Sequence, residues 1–109
     1  MYMRYIATVL FVIVLFPGLA LAGTAPDAAR KTELLYLLKH DCGSCHGMTR
    51  KGGLGPALLP ENMQDRPPQM MVNTVLDGRA GTAMPPWRDL LSEADARWLV
   101  DVLLKGEGL

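Results

Sequence analysis

Two cysteines separated by two residues, with a histidine directly after the second, are the residues of this chain best suited to chemistry: Cys42-Gly43-Ser44-Cys45-His46. Three chemistries use such a cluster. A C-x-x-C pair can cycle between dithiol and disulfide, as in thioredoxin-like proteins. Thiolates and imidazoles can hold zinc, and His40, Cys42, Cys45 and His46 crowd into seven residues. Common zinc sites, however, draw a second ligand pair from a distant segment. The full pentad C-x-x-C-H is the attachment site of a c-type haem. Each residue then has a task. The two thiols add across the haem vinyl groups as thioethers, and the spacing turns both sulfurs to one porphyrin edge. The adjacent imidazole reaches the iron as the proximal ligand. Thiol redox chemistry is usually housed in a βαβ domain, and no strand alternation is visible here, so haem attachment is the favoured chemistry.

An iron held by His46 calls for a donor on its other face. Met84 is the candidate, because a thioether is a soft donor that needs no deprotonation. It follows His46 by 38 residues, far enough for the chain to pass around a haem, and Pro85-Pro86 stiffen the loop behind it. Met48, Met63, Met70 and Met71 fit a role as core filler better. His46 is expected to donate its Nδ1 proton to a carbonyl in the Gly55-Pro56 turn, which would fix the ring. Arg79, Thr82 and Arg88 flank the methionine and could hydrogen-bond haem propionates. Trp87, behind two prolines, is expected to shield the haem edge. His40 falls at a helix end, where a partly charged imidazole suits the helix dipole.

The elements that must position these residues are helices. Leu34, Leu35 and Leu38 follow Ala28 at helical spacing, giving a first helix from about Pro26 to His40. Residues 52–60 form a loop punctuated by glycine and proline, and Glu61 to Asp65 a short turn. Pro67-Pro68 open a second long segment, Gln69 to Asp77, with Met71, Val72, Val75 and Leu76 on one side. Gly78 caps its end. Residues 81–87 are a loop. The last helix starts at Ser92 with Asp95 three residues on, a capping-box pattern, buries Trp98, Leu99, Val102 and Leu103, and stops near Gly106. The fold class is all-α, a small single domain of three to four helices around one covalent haem.

The chain opens with an export signal. Arg4 precedes an apolar run, Ile6 to Phe16, then Pro17-Gly18 and the small-x-small site Ala20-Leu21-Ala22. Residues 1–22 are therefore expected to be removed, leaving residues 23–109 as one domain in the periplasm. The run is short for a membrane span, so a retained anchor is the minority alternative. Removing this segment leaves ten basic and eleven acidic residues, with no basic stripe, which argues against nucleic acid as a partner. Its remaining aromatics are Tyr36, Trp87 and Trp98. A domain this small builds a marginal core and usually needs a staple. A covalent haem would supply one.

Together, the N-terminal helix, C-x-x-C-H, Gly55-Pro56 turn, methionine loop and C-terminal helix resemble the class I cytochromes c. That resemblance implies that the terminal helices cross, with Leu34 and Leu38 meeting Trp98, Leu99 and Val102. The family often has a glycine where Leu34 stands. The segments Asp41 to Met48, Gly55-Pro56-Ala57-Leu58 and Val75 to Trp87 are similar to the cytochromes c55X, periplasmic monohaem proteins of denitrifying bacteria. This narrower resemblance implies a monomeric carrier of single electrons with redox-protein partners. It points to delivery to cytochrome cd1 nitrite reductase or to maturation of haem d1. Axial His46 and Met84 would leave no open site for substrate, so no catalysis is expected. A thiol-disulfide oxidoreductase using Cys42 and Cys45, and a haem sensor with a labile Met84, are the alternatives.

Overall fold

The computed structural model describes residues 23–107. The expected export signal, residues 1–22, lies outside the described residues. Helix α1 (Ala28–Leu37) begins after Asp27, whose carboxylate accepts the Arg30 amide proton at 2.8 Å. Pro26 stands before this cap and is buried, so it does not open the helix as expected. Nor does the helix end at His40. It widens into a π-helical segment, Leu38–Cys42, and continues as α2 (Gly43–His46). A π turn inserts a residue into the helical repeat. The apolar spacing therefore lapses at Lys39-His40-Asp41 although the backbone stays helical. The consequence is functional: Cys42, Cys45 and His46 ride on a direct extension of α1.

The remaining helices are α3 (Pro60–Met63), α4 (Pro68–Asp77) and α5 (Glu93–Lys105). Ser92 caps α5 through the reciprocal box: its Oγ accepts the Asp95 amide at 3.0 Å and Asp95 Oδ2 accepts the Ser92 amide at 3.1 Å. At the other end Gly106 and Glu107 donate back to Leu103 and Val102. The described elements are all helical, and no helix among them is long and apolar enough to cross a membrane.

The core joins Leu34 and Leu38, Met63 of α3, Met71, Val72 and Leu76 of α4, and Ala96, Leu99, Val100, Val102 and Leu103 of α5. The broadest packing is between α4 and α5, and α1 also packs on α5. Leu34 is fully buried, so this contact accepts leucine, and the same cluster includes a fully buried Ala96. Trp98 is only half-buried, with the Lys31 ammonium 5.7 Å from its ring centre. Met63 and Met71 are core filler, but Met48 and Met70 are exposed. Met70 sits next to the buried Met71–Val72 face of α4 and points off it; Met48 lies in the turn after α2.

One ionic cluster pins the two terminal helices together. Arg30 Nη2 lies 2.9 Å from Asp95 Oδ2 and donates to the Leu90 carbonyl at 2.8 Å. Burial alone would raise the Asp95 pKa. The Arg30 hydrogen bond and the Ser92 amide outweigh it and hold the carboxyl below its ordinary value. A depressed carboxyl stabilises the fold above its unfolded pKa, about 4, and that contribution is lost as pH falls through the lower folded value. Asp95→Ala should therefore cost about 1–2 kcal/mol near neutrality, mainly as a lost cap and charged hydrogen bond. Denaturant titration of both proteins should show the gap closing in acid. A gap unchanged at the lowest pH would refute the assignment.

Candidate haem-binding site

The carbonyls at the end of α2 have no helical partners, and the following loop folds back to satisfy them. Gly52 donates its amide proton to the His46 carbonyl at 2.8 Å, and Gly55 donates to the Cys45 carbonyl at 2.8 Å. This return brings the Pro56 carbonyl to 2.7 Å from His46 Nδ1. For that contact to be a hydrogen bond the ring must carry its proton on Nδ1. Nε2 then keeps its lone pair for a metal. The Gly55-Pro56 turn thus supports His46 where the sequence indicated, with Pro56 supplying the carbonyl.

Gly55 has a second task. A β-carbon on it would stand 2.7 Å from His46 Cε1 and 2.8 Å from Nδ1. Only a residue without a side chain lets the loop lie against the imidazole. Gly55→Ala should push the ring away from Pro56 at a cost of about 1–3 kcal/mol, typical of overpacking. Midpoint potential and thermal melting should both fall. Wild-type values for both would show that the ring is not held by this contact.

Arg50 was not marked by the sequence pattern. It is buried and left-handed, with φ of 60°. Its amide donates to Gly47 and its carbonyl accepts from Leu58, which closes the loop. Its Nη2 donates to the Glu107 carbonyl at 3.3 Å, mooring the loop to the end of α5, and burial lowers its pKa. Nη1 has no partner among the described residues. A lone arginine in a Gly-rich stretch gave no periodic signal of burial.

Cys42 and Cys45 are free thiols, the first half-buried and the second exposed. Burial, and after it the nearby Asp41 and Cys45, push the Cys42 thiol up to about 11. Among the described residues no three His, Cys, Asp or Glu side chains converge on a metal-sized point. His40 instead stacks on Tyr36, with ring centres 4.2 Å apart.

The loop between α4 and α5 carries the other candidates. Thr82 Oγ1 donates to the Arg79 carbonyl at 2.7 Å and accepts the Met84 amide at 3.3 Å. Arg79 donates its amide to the Met84 carbonyl at 3.2 Å. Arg79, Thr82 and Met84 are therefore brought together in one compact loop. The Trp87 amide lies 3.1 Å from both the Val75 and Leu76 carbonyls, and its half-buried ring packs on the core. Arg88 is paired with Asp77 at 2.7 Å, whereas Arg79 is exposed and in no ion pair among the described residues. Arg79 is thus the better placed of the two to meet a propionate.

The donor set fits a haem: two cysteines and a histidine share one helical extension, and the tautomer that Pro56 demands frees Nε2. Met84 adds a thioether that needs no proton removed.

Residues 28–102 match the family model described as cytochrome C oxidase, cbb3-type, subunit III. The chain is 57% identical over 91 residues to cytochrome c55X of Pseudomonas aeruginosa, covering 84% of this chain and 75% of that protein. The solved structure titled c-type cytochrome NirC superposes with a TM-score of 0.75 at 57% identity, covering 76% of this chain and 98% of that one. The dihydro-heme d1 dehydrogenase of Pseudomonas aeruginosa is 39% identical over 89 residues, covering 82% of this chain but only 17% of that enzyme.

Proposed function

The chain belongs to the c-type cytochromes, among the cytochromes c55X, and from that premise we propose that it is a periplasmic carrier of single electrons in the nitrite reductase system. It is an electron-transfer protein with one covalent haem c. In this proposal Cys42 and Cys45 would form the thioethers, His46 Nε2 and Met84 Sδ would bind the iron, and Arg79 would pair with a propionate. The observation that carries the reading is the 2.7 Å contact between His46 Nδ1 and the Pro56 carbonyl. It fixes the tautomer and the orientation of the ring one residue after a C-x-x-C pair.

When bound, haem supplies a one-electron couple between ferric and ferrous iron. This chain's residues set how easily the couple runs. His46 is locked by Pro56 and Gly55, and the Met84 backbone is held by its amide's bond to Thr82 Oγ1 and by the Arg79 amide on its carbonyl. Neither ligand exchanges a proton, so an electron can arrive or leave with little movement of either loop. One direction is delivery to cytochrome cd1 nitrite reductase. Maturation of haem d1 is the second reading, favoured by the similarity of this chain to part of the dihydro-heme d1 dehydrogenase.

Stopped-flow mixing of the reduced protein with oxidised nitrite reductase should show fast oxidation that saturates with reductase concentration. Oxidation no faster than self-exchange with an unrelated redox protein would remove the first reading. Rapid reduction of the ferric protein by the dehydrogenase and its substrate, without that oxidation, would replace it with the second.

A further inference from the structure

The loop that carries Met84 is held by residues to which sequence patterning gave other roles: a helix cap for Gly78 and a propionate or surface contact for Arg88. Gly78 follows α4 with φ of 70° and ψ of −170°. That region of backbone space is essentially open to glycine alone. A β-carbon there would stand 2.7 Å from the Met84 carbonyl oxygen, 2.9 Å from the Pro85 carbonyl carbon and 2.9 Å from the Pro86 nitrogen. All three are backbone atoms. Pro85 and Pro86 have ring-fixed φ angles, and Met84 is restricted by the proline after it. The chain therefore crosses Gly78 with little freedom to rise or sink.

The base of the same loop is closed independently. Asp77 Oδ1 accepts from Arg88 Nε at 2.8 Å, with Nη2 at 2.7 Å. The Trp87 and Arg88 amides reach the carbonyls at the end of α4, and the Arg79 amide crosses to Met84 inside. The two ends of the segment from Asp77 to Arg88 are thus tied together.

We propose that Gly78 and the Asp77–Arg88 pair are positioning residues for Met84: the glycine sets the depth of the Met84 backbone, and the pair holds the base of the loop shut. This deepens the reading of Met84 as the distal ligand and rests on it. With this arrangement the Met84 backbone cannot move away alone: its displacement requires the loop to lift from Gly78 and the base to open. If the glycine were only a helix cap and the pair only a surface contact, their loss would alter melting and leave the ligand's hold unchanged.

The test uses holoprotein variants Gly78→Ala, Arg88→Gln, Met84→Ala and the charge-reversed double variant Asp77→Arg/Arg88→Asp. Each is measured for carbon monoxide binding to the ferrous form, midpoint potential and melting temperature. Gly78→Ala should speed carbon monoxide binding at least about tenfold, equivalent to ~1.4 kcal/mol, and lower the potential part of the way to that of Met84→Ala. Arg88→Gln should do the same to a smaller degree, because the pair is exposed. The reversed pair should recover wild-type behaviour. The proposal is overturned if Arg88→Gln and Gly78→Ala shift melting alone while Met84→Ala moves potential and carbon monoxide binding. Should Gly78→Ala fail to fold, Arg88→Gln and its reversed partner decide. If Met84→Ala itself binds carbon monoxide no faster than wild type, the ligand assignment falls and the positioning role with it. That outcome is distinguishable because no variant then responds.

Discussion

Met84→Ala is expected to lower the midpoint potential by on the order of 0.1–0.3 V, a fraction of the roughly 0.8 V range that axial ligation commands. The sign follows from the donor. A thioether is soft and favours ferrous iron, so His/Met pairs have raised potentials. Without it, water, hydroxide or a lysine takes the position, and these harder donors favour the ferric state. For a one-electron couple about 59 mV is tenfold in the equilibrium constant, so such a fall would reverse transfers that run forward in the wild type. The variant should also bind carbon monoxide in the ferrous state, which the wild type resists. Met63→Leu and Met70→Leu serve as controls. Met63 is buried in the core and Met70 is exposed on α4, and neither should change the potential or the spectrum. A wild-type potential in Met84→Ala, with loss in one of the controls, would transfer the ligand role to that methionine. Ready binding of carbon monoxide by the wild type at neutral pH would instead favour a sensor with a labile ligand.

What the sequence disclosed about this site divides along local and non-local lines. The pentad at Cys42, the Gly55-Pro56 turn and the box from Ser92 to Asp95 are short-range patterns, and each stands where its residue types required. Helix α4 starts at Pro68 beside its expected start at Gln69, and its Met71, Val72 and Leu76 are buried. The π-helical run into α2 was not legible, because an inserted residue breaks the very periodicity by which helices are recognised. Arg50, Arg30 and Arg88 were not legible either. Each arginine takes its role from a partner far along the chain or across a loop: the Glu107 carbonyl, Asp95 and Asp77. Charge types alone do not reveal which pairs meet. Gly78 was visible as a helix terminator, but its closeness to the Met84 backbone depends on how the loop returns, and only the fold shows that.

The double variant Cys42→Ala/Cys45→Ala is expected to lose cooperative folding altogether. The argument begins with what is buried. Leu34, Val72 and Leu76 are the largest side chains in the described domain with essentially no exposure. Its aromatic residues are peripheral: Trp87 and Trp98 are half-buried, and Tyr36 is 67% exposed. Leu54, within the loop that holds His46, is 92% exposed. Against this stands a conformational entropy cost of roughly 1–2 kcal/mol for every ordered residue. The Gly- and Pro-rich loops from Gly47 to Leu59 and from Gly78 to Leu91 have little regular structure to offset it. Domains of this size commonly rely on a disulfide, a metal or another covalent staple. The two cysteines are the chain's only ones and are not joined to each other. Covalent haem provides apolar bulk, so losing it should cost more than the small net stability typical of a domain. Far-ultraviolet circular dichroism of the variant should show reduced helix content and a broad, non-cooperative thermal profile. Mass spectrometry should find no bound haem. Cys45→Ala alone should retain at most one thioether and little stable holoprotein. A haem-free double variant that melts sharply, within a few degrees of the holoprotein, would show that the α1, α4 and α5 core suffices and that the cofactor is held by the fold rather than holding it.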